Sequence, residues 1–169
     1  MGKASAIISV IAAVAVGVAL ASCSSSGCTD NQNSLPMAGF YSSSSKSAIS
    51  VGYLDVYGVG SVNDSMLYSS GQALNIVYLP FRNSANETSY VFHYTQQDIS
   101  GDEYNDTLIF GYESLPYFAS EECGAMYRYD IKRLDYTRHL IDSVVITDSL
   151  ITNTDVERIK IYFRTSSDD

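Results

Sequence analysis

The chain has no tryptophan, only two histidines and three cysteines, and ten Lys/Arg against nineteen Asp/Glu in 169 residues. Each shortage excludes something. A net charge of −9 argues against a nucleic-acid partner, because phosphate contacts need clustered Lys and Arg. It also disfavours broad electrostatic adhesion to anionic lipid. His93 and His139 sit at no recognisable metal-ligand spacing, and there is no Cys-x-x-Cys. Gly-x-Ser-x-Gly, His-Glu-x-x-His and phosphate-loop patterns are absent as well. The expectation is a non-enzymatic chain with no catalytic residue, no cofactor and no metal. Carboxylate pairs that form only in space stay invisible to such a search. Without tryptophan, the fourteen tyrosines read first as strand formers. Three or more tyrosine rings exposed together on one sheet face would instead favour ligand binding.

What is present begins at the N-terminus. Lys3 supplies a basic start, and an apolar run from Ala6 to Ala21 is broken only by Ser9 and Gly17. It leads into Leu20-Ala21-Ser22-Cys23. This resembles a bacterial lipoprotein signal peptide, in which residues 1–22 are removed and Cys23 is lipidated as the new first residue. An ordinary secretory signal and an uncleaved membrane helix compete with that reading. The run of 16 residues is short of the roughly 20 that a spanning helix needs, and no basic stop-transfer cluster follows it. Multiple acyl chains at about 0.8 kcal/mol per buried CH₂ would give a stable anchor. Ser24, where aspartate would mark inner-membrane retention, points to the outer membrane by resemblance to the Gram-negative sorting rule. The stretch Ser24-Ser25-Ser26-Gly27 carries no acidic run of the kind used for surface display. The periplasmic face is therefore expected, with surface exposure as the alternative.

Removing the leader leaves 147 residues with nine Lys/Arg and nineteen Asp/Glu, enough for one domain with a real core. Lipidation of Cys23 leaves Cys28 and Cys123. Export permits disulfides, and one bridge is the simplest inference; two free thiols or a reactive thiol are the alternatives. In the chain-entropy model, closing so long a loop contributes on the order of 4–5 kcal/mol. A bridge would also shorten the tether from Cys23 to less than roughly 20 Å.

Helical periodicity is nearly absent, and short alternating runs rich in Val, Ile, Tyr and Phe recur between polar turns. Strands are expected near Met37–Tyr41, Val51–Tyr57, Ala73–Leu79, Ser89–Thr95, Thr107–Tyr112, Met126–Ile131, Ser143–Thr147 and Arg158–Arg164. Eight or so strands predict an all-β chain, a single and mostly antiparallel β-sandwich over residues 36–165. A short lipidated tether over 23–35 precedes it, and a disordered tail over 166–169 follows. Alternation puts Tyr90, Phe92 and Tyr94, then Leu108, Phe110 and Tyr112, then Ile159, Ile161 and Phe163 in the core, with His93 exposed.

Several features invite a functional reading. The acidic stretch Asp98–Asp106 offers oxygen ligands, yet its spacing misses the EF-hand pattern, so a solvated turn is expected. The basic stripe Arg158, Lys160 and Arg164 reads as the wet face of a strand whose lysine discourages edge pairing, with lipid phosphates beside the anchor as the functional alternative. Asp64-Ser65-Met66 resembles an O-glycosylation acceptor triplet, with Ser65 the candidate; turn chemistry explains the same pattern.

The C-terminal half carries a more specific pattern: Phe110-Gly111-Tyr112-Glu113, then Ser120-Glu121-Glu122-Cys123-Gly124, then Ile141-Asp142-Ser143-Val144 and Ile159-Lys160-Ile161-Tyr162-Phe163. With Leu79-Pro80-Phe81 and the early Cys28, it resembles a family of uncharacterised envelope lipoproteins from Bacteroides-type bacteria. The resemblance implies an all-β secreted domain with paired cysteines, which strengthens Cys28–Cys123, and no activity. Arg158 stands where members often carry a histidine, so no role for that histidine transfers. The function expected is a structural or accessory binding module of the envelope, held to the membrane through Cys23 and meeting an envelope protein. The alternative is a glycan- or small-ligand-binding lipoprotein that uses its tyrosines.

Overall fold

The computed structural model describes residues 34–60, 66–69, 71–121 and 123–165. The described chain is all-β. Its strands are β1 (Met37–Ser42), β2 (Leu54–Gly58), β3 (Met66–Tyr68), β4 (Ile76–Tyr78), β5 (Glu87–Tyr94), β6 (Asp106–Ser120), β7 (Gly124–Tyr136), β8 (Ile141–Ile146), β9 (Leu150–Ile151) and β10 (Glu157–Phe163). They form a four-stranded sheet in the order β4-β1-β10-β8 and a six-stranded sheet in the order β3-β2-β5-β6-β7-β9. All pairs are antiparallel except β1 with β10, which run parallel.

The two sheets share one core. Ala38, Phe40, Ile159, Ile161 and Phe163 point inward from the small sheet, and Val56, Tyr90, Phe92, Leu108 and Phe110 meet them from the large one. Phe40 bridges the layers, with its ring 6.3 Å from Phe92 and edge-on to Phe163 at 5.0 Å. All three expected ladders are buried. Alternation was reliable there because one face of each strand is dry and the other wet. Phe81 lies on Tyr112, with ring centroids 4.3 Å apart and nearly parallel, and Tyr129 meets it edge-on. The Tyr112 hydroxyl donates to the Arg82 carbonyl at 3.0 Å and accepts from the Arg82 N–H at 2.9 Å. It also bonds the Thr88 hydroxyl at 2.7 Å, so this buried phenol is saturated.

The expected strands need four adjustments. β2 starts at Leu54 rather than Val51, because Tyr53 sits in the left-handed region at φ 54° and interrupts the strand. Val51 pairs alone with Leu74. The short strands β3 and β9 were not anticipated. β6 and β7 are 15 and 13 residues long, about twice the expected runs. Within β7 the register slips by one residue, from Tyr112↔Ile131 to Gly111↔Arg133. This bulge at Lys132 moves the inward positions from Tyr129 and Ile131 to Leu134 and Tyr136.

β5 pairs with β6 only over Asp106–Gly111, and β9 pairs with β7 only at Tyr129 and Asp130. Residues 113–120 of β6 and 124–128 of β7 therefore extend the hairpin past its neighbours as a two-stranded ribbon. Ser34 joins it from the N-terminal side, its hydroxyl donating to the Tyr127 carbonyl at 2.6 Å.

Candidate functional site

The inward residues of β1 and β10 dictate what their outer face displays. With Ala38 and Phe40 buried, Met37, Gly39 and Tyr41 turn outward. With Ile159 and Ile161 buried, Arg158, Lys160 and Tyr162 do the same. Parallel register sets Tyr41 beside Tyr162 and Gly39 beside Lys160. The two tyrosine rings are 5.5 Å apart, inclined at 40°. Lys160 Nζ lies 4.9 Å from the centre of the Tyr41 ring, and Lys46 Nζ lies 4.8 Å from that of Tyr162. Both are cation–π distances. Tyr78, opposite Met37 on β4, adds a third half-buried tyrosine to the same face.

Glu157 organises this surface. The Tyr41 hydroxyl donates to its carboxylate, 2.8 Å from Oε1 and 3.0 Å from Oε2. That carboxylate lies across Gly39, where any Cβ would collide with Glu157 Oε2. The hydrogen bond to Glu157, reinforced by burial and by the carboxylate charge, pushes the Tyr41 phenol up to about 12. The bond is made by the neutral phenol. Its contribution is whole below the ordinary value of 10 and is lost as pH rises through about 12. Gly39→Ala is expected to displace Glu157 and return Tyr41 towards 10, read as earlier phenolate absorbance in an alkaline titration against Tyr41→Phe. An unchanged profile would show that Glu157 does not control the phenol.

A second concavity, a cleft of about 410 Å³, opens at the end of the sandwich between Val51, Tyr53, Tyr94, Leu140, Phe163 and Arg164. Its wall is fastened by Asp106, which is fully buried. Asp106 Oδ1 accepts from the Thr137 hydroxyl at 2.9 Å and the His139 N–H at 2.8 Å. Oδ2 accepts from the Tyr94 hydroxyl at 3.0 Å and from the N–H groups of Leu140 and Ile141 at 2.9 and 2.8 Å. Burial and this carboxylate raise the Tyr94 phenol far above its ordinary range. Five donors occupy the carboxylate, so it braces the wall. Both histidines serve the same corner. His93 Nδ1 pairs with Asn105 Oδ1 at 2.9 Å, and His139 Nδ1 pairs with the Asn105 carbonyl at 2.7 Å.

The family model DUF6452, described as a family of unknown function, matches residues 53–163. The chain belongs to that family. No curated protein and no solved structure matches it. The DUF6452 span holds Tyr78, Glu157, Lys160, Tyr162 and the whole Asp106 network. Gly39, Tyr41 and Lys46, which complete the aromatic face, lie before it.

Within this DUF6452 chain the sequence-based candidates fall into different places. Cys23, Cys28 and Ser65 lie outside the described residues, as does the tail over 166–169. Cys123 stands in the turn joining β6 and β7, its N–H bonded to Ser120 Oγ at 3.0 Å. Ser120, which ends β6, and Gly124, which begins β7, bound the most specific segment of the resemblance. The acidic stretch is a solvated turn only in part. Asp98, Asp102 and Glu103 are exposed on two 3-10 turns, whereas Asp106 is buried as the first residue of β6. Among the described residues, no three His, Cys, Asp or Glu side chains are gathered to hold a metal. His93 is on the outward face but half-buried, because Asn105 covers its ring nitrogen.

The edge-protection reading of the basic stripe is corrected. β10 is an interior strand, and its cations are occupied. Arg158 pairs closely with Asp148, and Lys160 lies 3.9 Å from Glu157. Arg164 donates to the carbonyls of Arg138 and His139 at 2.8 and 2.6 Å. Sequence reasoning missed Glu157, Gly39 and Lys46. The only local signal was the outward pair Gly39 and Tyr41, and its meaning depends on β10, more than a hundred residues away.

Proposed function

We propose that this chain is a lipoprotein of the bacterial outer membrane, held through lipid on Cys23, and that its β-sandwich is a non-enzymatic accessory binding module of the envelope. The observation that carries the reading is the junction between leader and body. Ser34 is bonded to the long hairpin only eleven residues after Cys23, a span of less than roughly 40 Å even when fully extended. A body held so near its anchor serves partners at the membrane rather than distant ones. Cys28 paired with Cys123 would shorten the reach further. The even cysteine count after lipidation and the position of Cys123 at the outer end of the hairpin support that pairing. Intact mass should rise by two hydrogens on reduction.

The anchor is tested by fractionation. Cys23→Ser is expected to move the protein from the membrane fraction to the soluble envelope fraction. Retention in the membrane fraction would overturn the reading.

A second reading, glycan or small-ligand binding, is favoured by the aromatic face. Tyr41 and Tyr162 present ring surface, and Lys46, Lys160 and Glu157 supply polar groups around it. Amphipathic rings with adjacent hydrogen-bonding groups suit polyol ligands. Loss of oligosaccharide retention in Tyr41→Ala/Tyr162→Ala would support this reading, and retention by neither protein would remove it.

A further inference from the structure

The outer end of the hairpin does something the sandwich does not need. On β6 the inward face runs through Tyr112, Ser114, Pro116 and Phe118. Across the pairs 112↔131, 114↔129, 116↔127 and 118↔125 it continues on β7 through Ile131, Tyr129, Tyr127 and Ala125. Tyr112, Tyr129 and Ile131 are buried in the core. Farther out the opposing sheet ends, and Pro116, Phe118, Ala125 and Tyr127 are all exposed. Phe118, at 69 % exposure, is the most exposed large apolar side chain among the described residues. The apolar stripe of the core thus runs off the body onto an open ribbon. Scattered apolar residues are ordinary on a protein surface, whereas four adjoining ones on one face mark a contact.

We propose that this face, Pro116, Phe118, Ala125 and Tyr127, rests against the lipid surface that anchors the chain. The inference builds on the lipoprotein reading above. Two observations select lipid as the occupant. The described chain begins on this ribbon, with Ser34 bonded to the Tyr127 carbonyl, so the eleven residues back to Cys23 start here. The exposed residues are also of the right chemistry. Phenylalanine, proline and alanine enter the acyl boundary, and tyrosine suits the level of the headgroups. Among the described residues, no cation lies on the face. Arg128 is on the opposite side, stacked on Tyr117 at 3.9 Å, and the exposed acids Glu113 and Glu121 flank the ribbon. The contact is therefore apolar, insensitive to salt, and independent of anionic lipid. Pro116 keeps the ribbon from recruiting another strand. The Tyr112 N–H points to the β5 side, so by alternation the missing N–H of Pro116 falls on the open edge.

The absence of tryptophan makes the test direct, because Phe118→Trp introduces the only indole. Full-length lipidated protein carrying Phe118→Trp is reconstituted into phosphatidylcholine vesicles with brominated acyl chains and isolated by flotation. Tyr104→Trp, on the 3-10 turn that precedes the opposite end of β6, a strand whose span from Asp106 to Phe118 is roughly 40 Å, is the control. The expected result is a blue-shifted, quenched Phe118→Trp emission with Tyr104→Trp unchanged. Co-flotation with an unshifted, unquenched Phe118→Trp would overturn the lipid contact, leave the anchor intact and assign the face to a protein partner. Equal quenching at both positions would overturn a hairpin-specific contact. Failure of the wild-type protein to float would overturn the anchor and this inference together.

Discussion

Asp106→Ala is expected to destabilise the domain by about 3 kcal/mol or more, among the largest losses any single substitution should cause. The side chain is inaccessible and carries five hydrogen bonds. Three come from the consecutive N–H groups of His139, Leu140 and Ile141. Alanine removes the acceptor of all five, and each donor left buried and unsatisfied, as those of Tyr94 and Ile141 are, costs about 1–3 kcal/mol before relaxation. Asp106→Asn preserves shape but turns an NH₂ towards donors, so it should fall between wild type and alanine. Urea denaturation reads the effect as a lower midpoint at unchanged slope. A loss under about 1 kcal/mol would mean that water replaces the carboxylate and that the cleft wall does not depend on it.

Phe40→Ala should cost about 3–5 kcal/mol for a different reason. Phe40 has no exposed surface and joins Phe163 in its own sheet to Phe92 in the other. Its removal opens a cavity between two sheets whose backbones cannot close on it. Phe40→Leu retains most of the volume and should cost less than about 1.5 kcal/mol. The contrast separates cavity formation from loss of aromaticity. Equal losses for the two variants would assign the stabilisation to the ring contacts instead.

The parts of the fold that were legible share one property. In β5, the first half of β6 and β10, one face is dry and the other wet, and alternation records it. The hairpin extension defeats that logic. Leu115, Pro116, Tyr117, Phe118 and Ala119 form an unbroken apolar run because neither face of a free ribbon is fully buried. The bulge at Lys132 then reverses the phase of β7. β9 is two residues long and exists only through pairing with Tyr129 and Asp130. Asp106 was hidden for a related reason. It ends an acidic, turn-like stretch, and only the return of residues 137–141 buries it. The aromatic face depends on Tyr41 finding Glu157, 116 residues away, through a parallel pairing that no local pattern encodes.

That parallel pairing also sets the order of assembly. β1 and β10 are the first and last strands described, yet they are the two central strands of the small sheet. A chain delivered N-terminus first holds Phe40 without its Phe163 neighbour until β10 arrives. The large sheet pairs strands much closer in sequence, several of them consecutive, whereas the small one waits on a contact of very high sequence separation, the kind that slows folding. Residues 157–163 thus act as a latch, and until it closes, β1 is an open edge for chaperones and proteases to find.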